Sequence, residues 1–255
     1  MLEGYIRARR QEREILLMTH IVLGYPSFDA SLKVVEDMVE AGVDLMELQI
    51  PFSEPMADGP VILHANEKAL AAGATVERCL AFAEEVTARF DIPFLFMSYY
   101  NIVYRYGEAR FAKAMADRKI RGAIVPDLPP EEAQGYLRAM EDHGLDPIFL
   151  FTPHSSMDRL KHLAGVARGL VYCVARSGVT GADTRFAADL DAYLERCRMA
   201  TDLPLALGFG VKEKADVDFL RGKVDIAVVG SQTIRVIDQR GVQAVGPFIR
   251  DLRPA

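Results

Sequence analysis

GVDLMELQIPFSEPMADGP, residues 42–60, joins a short apolar run to a turn-rich loop and puts a carboxylate in each. The run ending at Ile50 reads as a buried strand, and Glu47 lies inside it. An acid in such a place is costly unless it has a task or a partner. Asp58 follows in PFSEPMADGP, where Pro and Gly impose turns. Two acids in such different settings have pKa values pushed apart, which suits paired proton-transfer work. The plain structural alternative is a Glu paired with a cation elsewhere in the sequence and an ordinary turn Asp.

Working outward, short β-rich apolar runs alternate with amphipathic stretches from end to end. Strands are expected at 17–23, 45–50, 94–97, 122–125, 147–151, 169–174, 205–208 and 226–230. Helical periodicity falls between them at 28–41, 76–90, 109–118, 131–143, 156–167, 187–199 and 212–221. In the first of these, Leu32, Val35, Met38 and Val39 share one side. A further helix begins at Ser231, and residues 1–14 form a candidate helix ahead of the first strand. Eight strand–helix units in 255 residues match an α/β (β/α)8 TIM barrel read as a single domain over 1–255. The competing doubly wound open sheet usually has fewer strands, and no GxGxxG follows the first strand.

In such a barrel chemistry sits at the carboxyl ends of the strands. Glu47, Asp58, Tyr99-Tyr100-Asn101, Asp127, Tyr172 and three glycine motifs all fall there. The motifs are Arg176-Ser177-Gly178-Val179-Thr180-Gly181 after the sixth strand, Gly208-Phe209-Gly210 after the seventh and Gly230-Ser231 after the eighth. Glycines let backbone N–H groups approach an anion, and a helix N-terminus adds its positive dipole end. Three such turns in consecutive units predict a phosphate cradle. With no lysine in them, it rests on main-chain dipoles and the Ser231 hydroxyl.

Composition narrows the classes. A formal charge of −6 argues against a nucleic-acid partner, which needs a basic face. Three cysteines, Cys79, Cys173 and Cys197, without CxxC spacing give neither a disulfide framework nor a zinc site, so reduced thiols in a cytoplasmic protein are expected. No apolar run approaches membrane-spanning length.

ELQIPFSEPMADGP, YYN, IVPDLPPEE, YCVARSGVTG, GFGV and VVGSQTI together resemble the tryptophan synthase alpha subunit family in order and spacing, over nearly the whole chain. The resemblance implies a (β/α)8 barrel that cleaves indole-3-glycerol phosphate in a retro-aldol sense to indole and glyceraldehyde 3-phosphate. It implies no metal or organic cofactor, and a pyridoxal-phosphate-dependent beta subunit as partner in an alpha2beta2 heterotetramer. By position it makes Glu47 the proton-transfer acid/base and Asp58 the partner of the indole nitrogen. Tyr172 matches a tyrosine near the catalytic acid, and Tyr99 one at the barrel mouth; a core aromatic with a satisfied hydroxyl is the alternative for both. Gly181, Phe209, Gly210, Gly230 and Ser231 fall on phosphate and indole-pocket positions. Thr180 and Arg176 fall on the loop that closes over the site in the family.

Several residues depart from the family pattern. Gln49 stands where Gly is common, on the same side of its strand as Glu47, and is expected to crowd or hydrogen-bond that acid. Glu54 replaces Asp in the loop that meets the beta subunit, Leu63 replaces Gln, Tyr25 replaces Asp, and His20 replaces an aromatic on the first strand. A lone His there reads first as a satisfied core residue. These changes leave room for a stand-alone lyase releasing free indole, or for a weak homologue that regulates a beta-like partner. Another phosphosugar isomerase or aldolase lacks a strand-end lysine for a Schiff base.

Overall fold

The computed structural model describes residues 1–175, 184–208 and 210–253. In chain order the elements are α1 (Leu2–Glu12), β1 (Leu16–Val22), α2 (Phe28–Glu40), β2 (Leu45–Gln49), α3 (Pro60–Ala71), α4 (Val76–Arg89), β3 (Phe94–Met97), α5 (Tyr100–Tyr106), α6 (Glu108–Asp117) and β4 (Gly122–Ile124). A 3₁₀ turn (Pro130–Glu132) precedes α7 (Gln134–Asp142), β5 (Asp146–Phe151), α8 (Met157–Val166), β6 (Val171–Val174), α9 (Thr184–Ala200), β7 (Leu205–Gly208), α10 (Lys214–Leu220), β8 (Ile226–Val229), α11 (Ser231–Arg240) and α12 (Val245–Leu252). The eight strands close in sequence order into one barrel, with β1 paired in parallel to both β2 and β8.

Strand alternation divides the core in two. Leu16 and Met18 of β1, Leu45 of β2, Leu95 and Met97 of β3, and Ile226 and Val228 of β8 fill the barrel interior. Leu17, Ile21, Met46, Leu48, Phe94 and Phe96 point outward and pack under the helices. Two positions on from Leu45 on β2 lie Glu47 and then Gln49, so the inward file turns polar towards the carboxyl end. In register with them are His20 opposite Glu47 and Val22 opposite Gln49.

The amino end of the barrel is closed by α1, whose Leu2 and Ile6 join the interior cluster. The Leu2 N–H donates to Asp146 (3.2 Å) and the Tyr5 hydroxyl to the Asp44 carbonyl (2.9 Å). Ser27 and Thr75 cap α2 and α4 by accepting from the N–H groups of Ala30 and Arg78.

All eight expected strands occur, and their ends differ from the sequence reading by at most two residues. The helical stretch expected over 131–143 is instead a 3₁₀ turn followed by α7, because Pro129 and Pro130 impose a separate entry. α3, α5 and α12 have no counterpart among the helices expected from the sequence. α3 starts at Pro60 directly after Gly59, so the loop's turn residues also open a helix. No helix among the described residues is long and apolar enough to cross a membrane.

Candidate active site

The carboxyl mouth of the barrel carries a cavity of about 120 Å³ lined by His20, Glu47, Asp58, Tyr172 and Gly230, with Met97, Ile124 and Leu150 among its apolar walls. Five different strands or strand-end loops contribute those first five residues, each through local sequence. Glu47 comes from the inward file of β2 and is 5 % exposed. Its Oε2 is buried with no hydrogen-bond partner among the described residues. Burial, and then the nearby Asp58 charge, push its carboxyl up to about 8. It therefore rests protonated at neutral pH.

Asp58 belongs to the loop between β2 and α3, and that loop is tied down at several points. Asn66 of α3, fully buried, accepts from the Phe52 N–H (2.9 Å) and donates to the Ile62 carbonyl (2.8 Å). The Phe52 ring stacks on Tyr99 with centroids 5.2 Å apart. The Tyr99 hydroxyl accepts from the Ala57 N–H (3.1 Å) and donates to Asp58 Oδ2 (2.9 Å). Burial, and then the Asp58 charge, raise the Tyr99 phenol, so it stays a donor. Asp127, after β4, accepts from the Tyr100 N–H (2.8 Å) and fixes the start of α5.

Gln49 contacts different groups from those expected. Its side chain makes no hydrogen bond to Glu47. The Nε2 donates to Asp58 Oδ2 (2.7 Å), and the Oε1 meets His20 Nε2 at 2.8 Å. The reason is strand geometry: two residues on, Gln49 stands a full repeat nearer the barrel mouth, level with the loop rather than with the acid below it. His20 is likewise only half satisfied. It is 4 % exposed, its Nδ1 has no partner among the described residues, and it lines the cavity. Burial keeps the imidazole neutral by lowering its pKa, against the opposing pull of Asp58 and Gln49.

Tyr172, on β6, has its phenol raised by burial, then by Glu47 and Asp58. It fits because residue 208 on the neighbouring strand is Gly: a Cβ there would stand 2.9–3.0 Å from the tyrosine ring and hydroxyl. Gly210 has φ of 84°, a conformation that favours glycine. Gly230 precedes α11, and Ser231 is its first residue. The Arg235 Nη1 donates weakly to Ser231 Oγ and to Gln232 Oε1, both at 3.4 Å. This guanidinium stands one helical turn on from Ser231, outside the glycine motifs, and the i, i+4 spacing is the sequence signal for it. Arg176, Thr180, Gly181 and Phe209 lie outside the described residues.

A parallel eight-stranded barrel with a buried acid, a second carboxylate and a glycine turn around one cavity at its carboxyl mouth has the architecture of a (β/α)8 enzyme, the class whose chemistry sits at that face. The family model described as "Tryptophan synthase alpha chain" matches residues 6–246, and the chain belongs to that family. It is 64 % identical over 252 residues to the tryptophan synthase alpha chain of Desulforapulum autotrophicum, covering 99 % of this chain and 100 % of that one. The corresponding chain of Syntrophotalea carbinolica is 61 % identical over 253 residues, with 99 % and 100 % covered. Among solved structures, tryptophan synthase from M. tuberculosis in its aminoacrylate-bound form superposes with a TM-score of 0.90 at 31 % identity, covering 98 % of this chain and 97 % of that chain. Tryptophan synthase subunit alpha from Legionella pneumophila gives 0.89 at 29 % identity, with 98 % and 96 % covered.

Proposed function

We propose that Glu47 and Asp58 carry out the retro-aldol cleavage of indole-3-glycerol phosphate to indole and glyceraldehyde 3-phosphate, the alpha reaction of tryptophan biosynthesis. The observation that carries this reading is a buried glutamic acid, held protonated near neutral pH, in the same cavity as Asp58 and Gly230. The glutamic acid gives its proton to indole C3, which converts the ring into a leaving group. The electron pair of the C–C bond returns to the ring as the bond breaks. The resulting Glu47 carboxylate takes the proton of the adjacent glycerol hydroxyl as the aldehyde carbonyl forms, and so regains its starting state. Asp58 accepts from the ring N–H and offsets the positive charge that develops there. Tyr172 and Tyr99 sit beside the acids, and the phosphate lies against Gly210, Gly230 and Ser231, with Gly181, Phe209 and Thr180 in the roles the family resemblance gives them.

A beta subunit, in an alpha2beta2 assembly, is the proposed recipient of the indole. Met56 is 82 % exposed on the loop that carries Asp58 and Glu54, and Tyr104 is 67 % exposed on α5 after β3. Both stand on carboxyl-end segments, where an apolar partner surface would meet the site. A single catalytic domain over 1–255 and a cytoplasmic location complete the proposal; three buried free thiols suit a reducing compartment.

The test is indole release from indole-3-glycerol phosphate by the purified protein, with and without a beta subunit, for the parent and Glu47→Gln. Release by the parent, rising with the partner and lost in the variant, is expected. No release in either condition overturns the lyase reading, and equal release with and without partner overturns the coupled assembly.

A further inference from the structure

Two buried residues, one lining the cavity and one behind it, are unexplained by the proposed chemistry, yet they form a continuous chain to one of its carboxylates. His20 on β1, Gln49 on β2 and Asp58 on the following loop are linked by contacts of 2.8 and 2.7 Å. Asp58 Oδ2 already receives the Tyr99 hydroxyl, so it is an acceptor, and the group of Gln49 facing it must be the amide NH2. Turning the amide over would set its carbonyl against the carboxylate. The carbonyl Oε1 therefore faces His20, and His20 Nε2 must carry the proton. Both donors reach Asp58 through Oδ2, and Oδ1 holds no donor among the described residues.

We propose that His20 is a positioning residue for Asp58: its Nε2–H holds the Gln49 amide in the one orientation that pins Oδ2 and leaves Oδ1 for the ring N–H of the substrate. Asp58 sits on a loop, whereas His20 and Gln49 sit on neighbouring strands of the barrel wall. The chain thus transfers the rigidity of the sheet to a carboxylate that must meet one hydrogen of the indole in a fixed place. It also explains why a polar pair is retained inside an otherwise apolar wall. The inference rests on the lyase reading of this site.

A double-mutant cycle tests it, with kcat and KM for indole release measured in the parent, His20→Phe, Asp58→Asn and the double variant. His20→Phe is expected to lower kcat/KM about tenfold, the equivalent of one well-placed hydrogen bond. In the Asp58→Asn background the same change is expected to lower it by less than about twofold, because the group it positions is gone. His20→Gln, which can present a donor near the position of Nε2, is expected to recover most of the loss. Parental kinetics in His20→Phe, or the same tenfold loss in both backgrounds, would overturn the inference. If His20→Phe does not fold, Gln49→Met removes the same two bonds and takes its place in the cycle. Independently of turnover, ¹⁵N NMR of the ligand-free parent is expected to find the imidazole proton on Nε2; a proton on Nδ1 would overturn the chain. A parent that releases no indole sinks the lyase reading, whereas a working parent with an indifferent His20 sinks the inference alone.

Discussion

Asp44 lies just before β2 and Glu47 three residues on, in the middle of the strand, and both are buried acids, 2 % and 5 % exposed. Asp44 is saturated. It accepts from Arg13, from Arg9 at 3.4 Å and from the Leu17 N–H at 2.9 Å. Glu47 has a bare Oε2 and a like-charged neighbour. At the amino end Asp225 is met by the Leu205 N–H and by Arg198 and Arg10. Burial works to raise that carboxyl, but those donors bring it below its usual value. At the carboxyl end the acids face a cavity. A buried carboxylate with its donors present stabilises the fold, and one left without them is available for chemistry.

The sharpest way to break this comparison is Glu47→Gln. The substitution keeps the shape and removes the proton, so turnover is expected to fall by about 10²–10⁴-fold while the protein stays folded. A variant retaining parental kcat would place the proton transfer elsewhere. The same residue makes an opposite statement about stability. Its folded pKa, about 8, lies above the ordinary value of 4.5. Between those pH values the native protein holds a proton that the unfolded chain has released. The Glu47 contribution is therefore fully present below about pH 4.5 and declines as pH rises towards 8. At about 1.4 kcal/mol for each pH unit between the two values, the decline amounts to several kcal/mol. Glu47→Gln cannot titrate, so its melting temperature is expected to draw ahead of the parent between pH 5 and pH 8. A constant gap across that range would mean that the acid has a partner after all.

Asp44→Ala probes the other end. It strands the buried Leu17 N–H and leaves two guanidiniums without their carboxylate. Those guanidiniums are about a quarter exposed and can rehydrate, which reduces the loss. Urea unfolding is expected to report about 2–3 kcal/mol of destabilisation, with kcat and KM of the folded fraction unchanged. A selective loss of activity without a change in stability would erase the distinction between the two ends.

Much of this was legible in the sequence because the barrel repeats one pattern eight times. Apolar runs of four to seven residues between amphipathic stretches fix the strand count without any knowledge of contacts. Glu47 was legible for a related reason: an acid within an apolar run is conspicuous wherever it occurs. Asp44, its structural counterpart, borders the run and looks like an ordinary turn residue; its Arg9 and Arg13 partners come from 35 and 31 positions away. Alternation puts Gln49 on the Glu47 side of β2 but does not supply its hydrogen-bond partners, since it fixes direction and says nothing of height along the barrel axis. His20 was read as a core residue because a single histidine carries no spacing signal. The register sets it opposite Glu47, and the Gln49 side chain, one repeat on, reaches it diagonally. Asn66 was missed for want of a recognised helix: α3 follows Gly59-Pro60, which reads as loop until the periodicity beyond it is counted.

The finest contrast lies within the carboxyl end, between the acid pair and the proposed phosphate cradle. Gly230 has φ −107° and ψ −101°, and a Cβ there would meet only the His20 Cβ, at 4.0 Å. Gly230→Ala therefore adds a methyl group to the cavity wall without a clash, and unfolding is expected to shift by about 1 kcal/mol or less. If the substrate phosphate lies against this turn, the methyl group occupies space the anion needs. KM should then rise about three- to tenfold, roughly 0.7–1.4 kcal/mol, while kcat changes much less because Glu47 and Asp58 are untouched. An unchanged KM at unchanged stability would remove Gly230 from the cradle and leave Gly210, Ser231 and Arg235 to hold the anion. A fall in kcat alone would instead mean that the methyl group reaches the acids through His20, and the two halves of the carboxyl end would have to be treated as one unit.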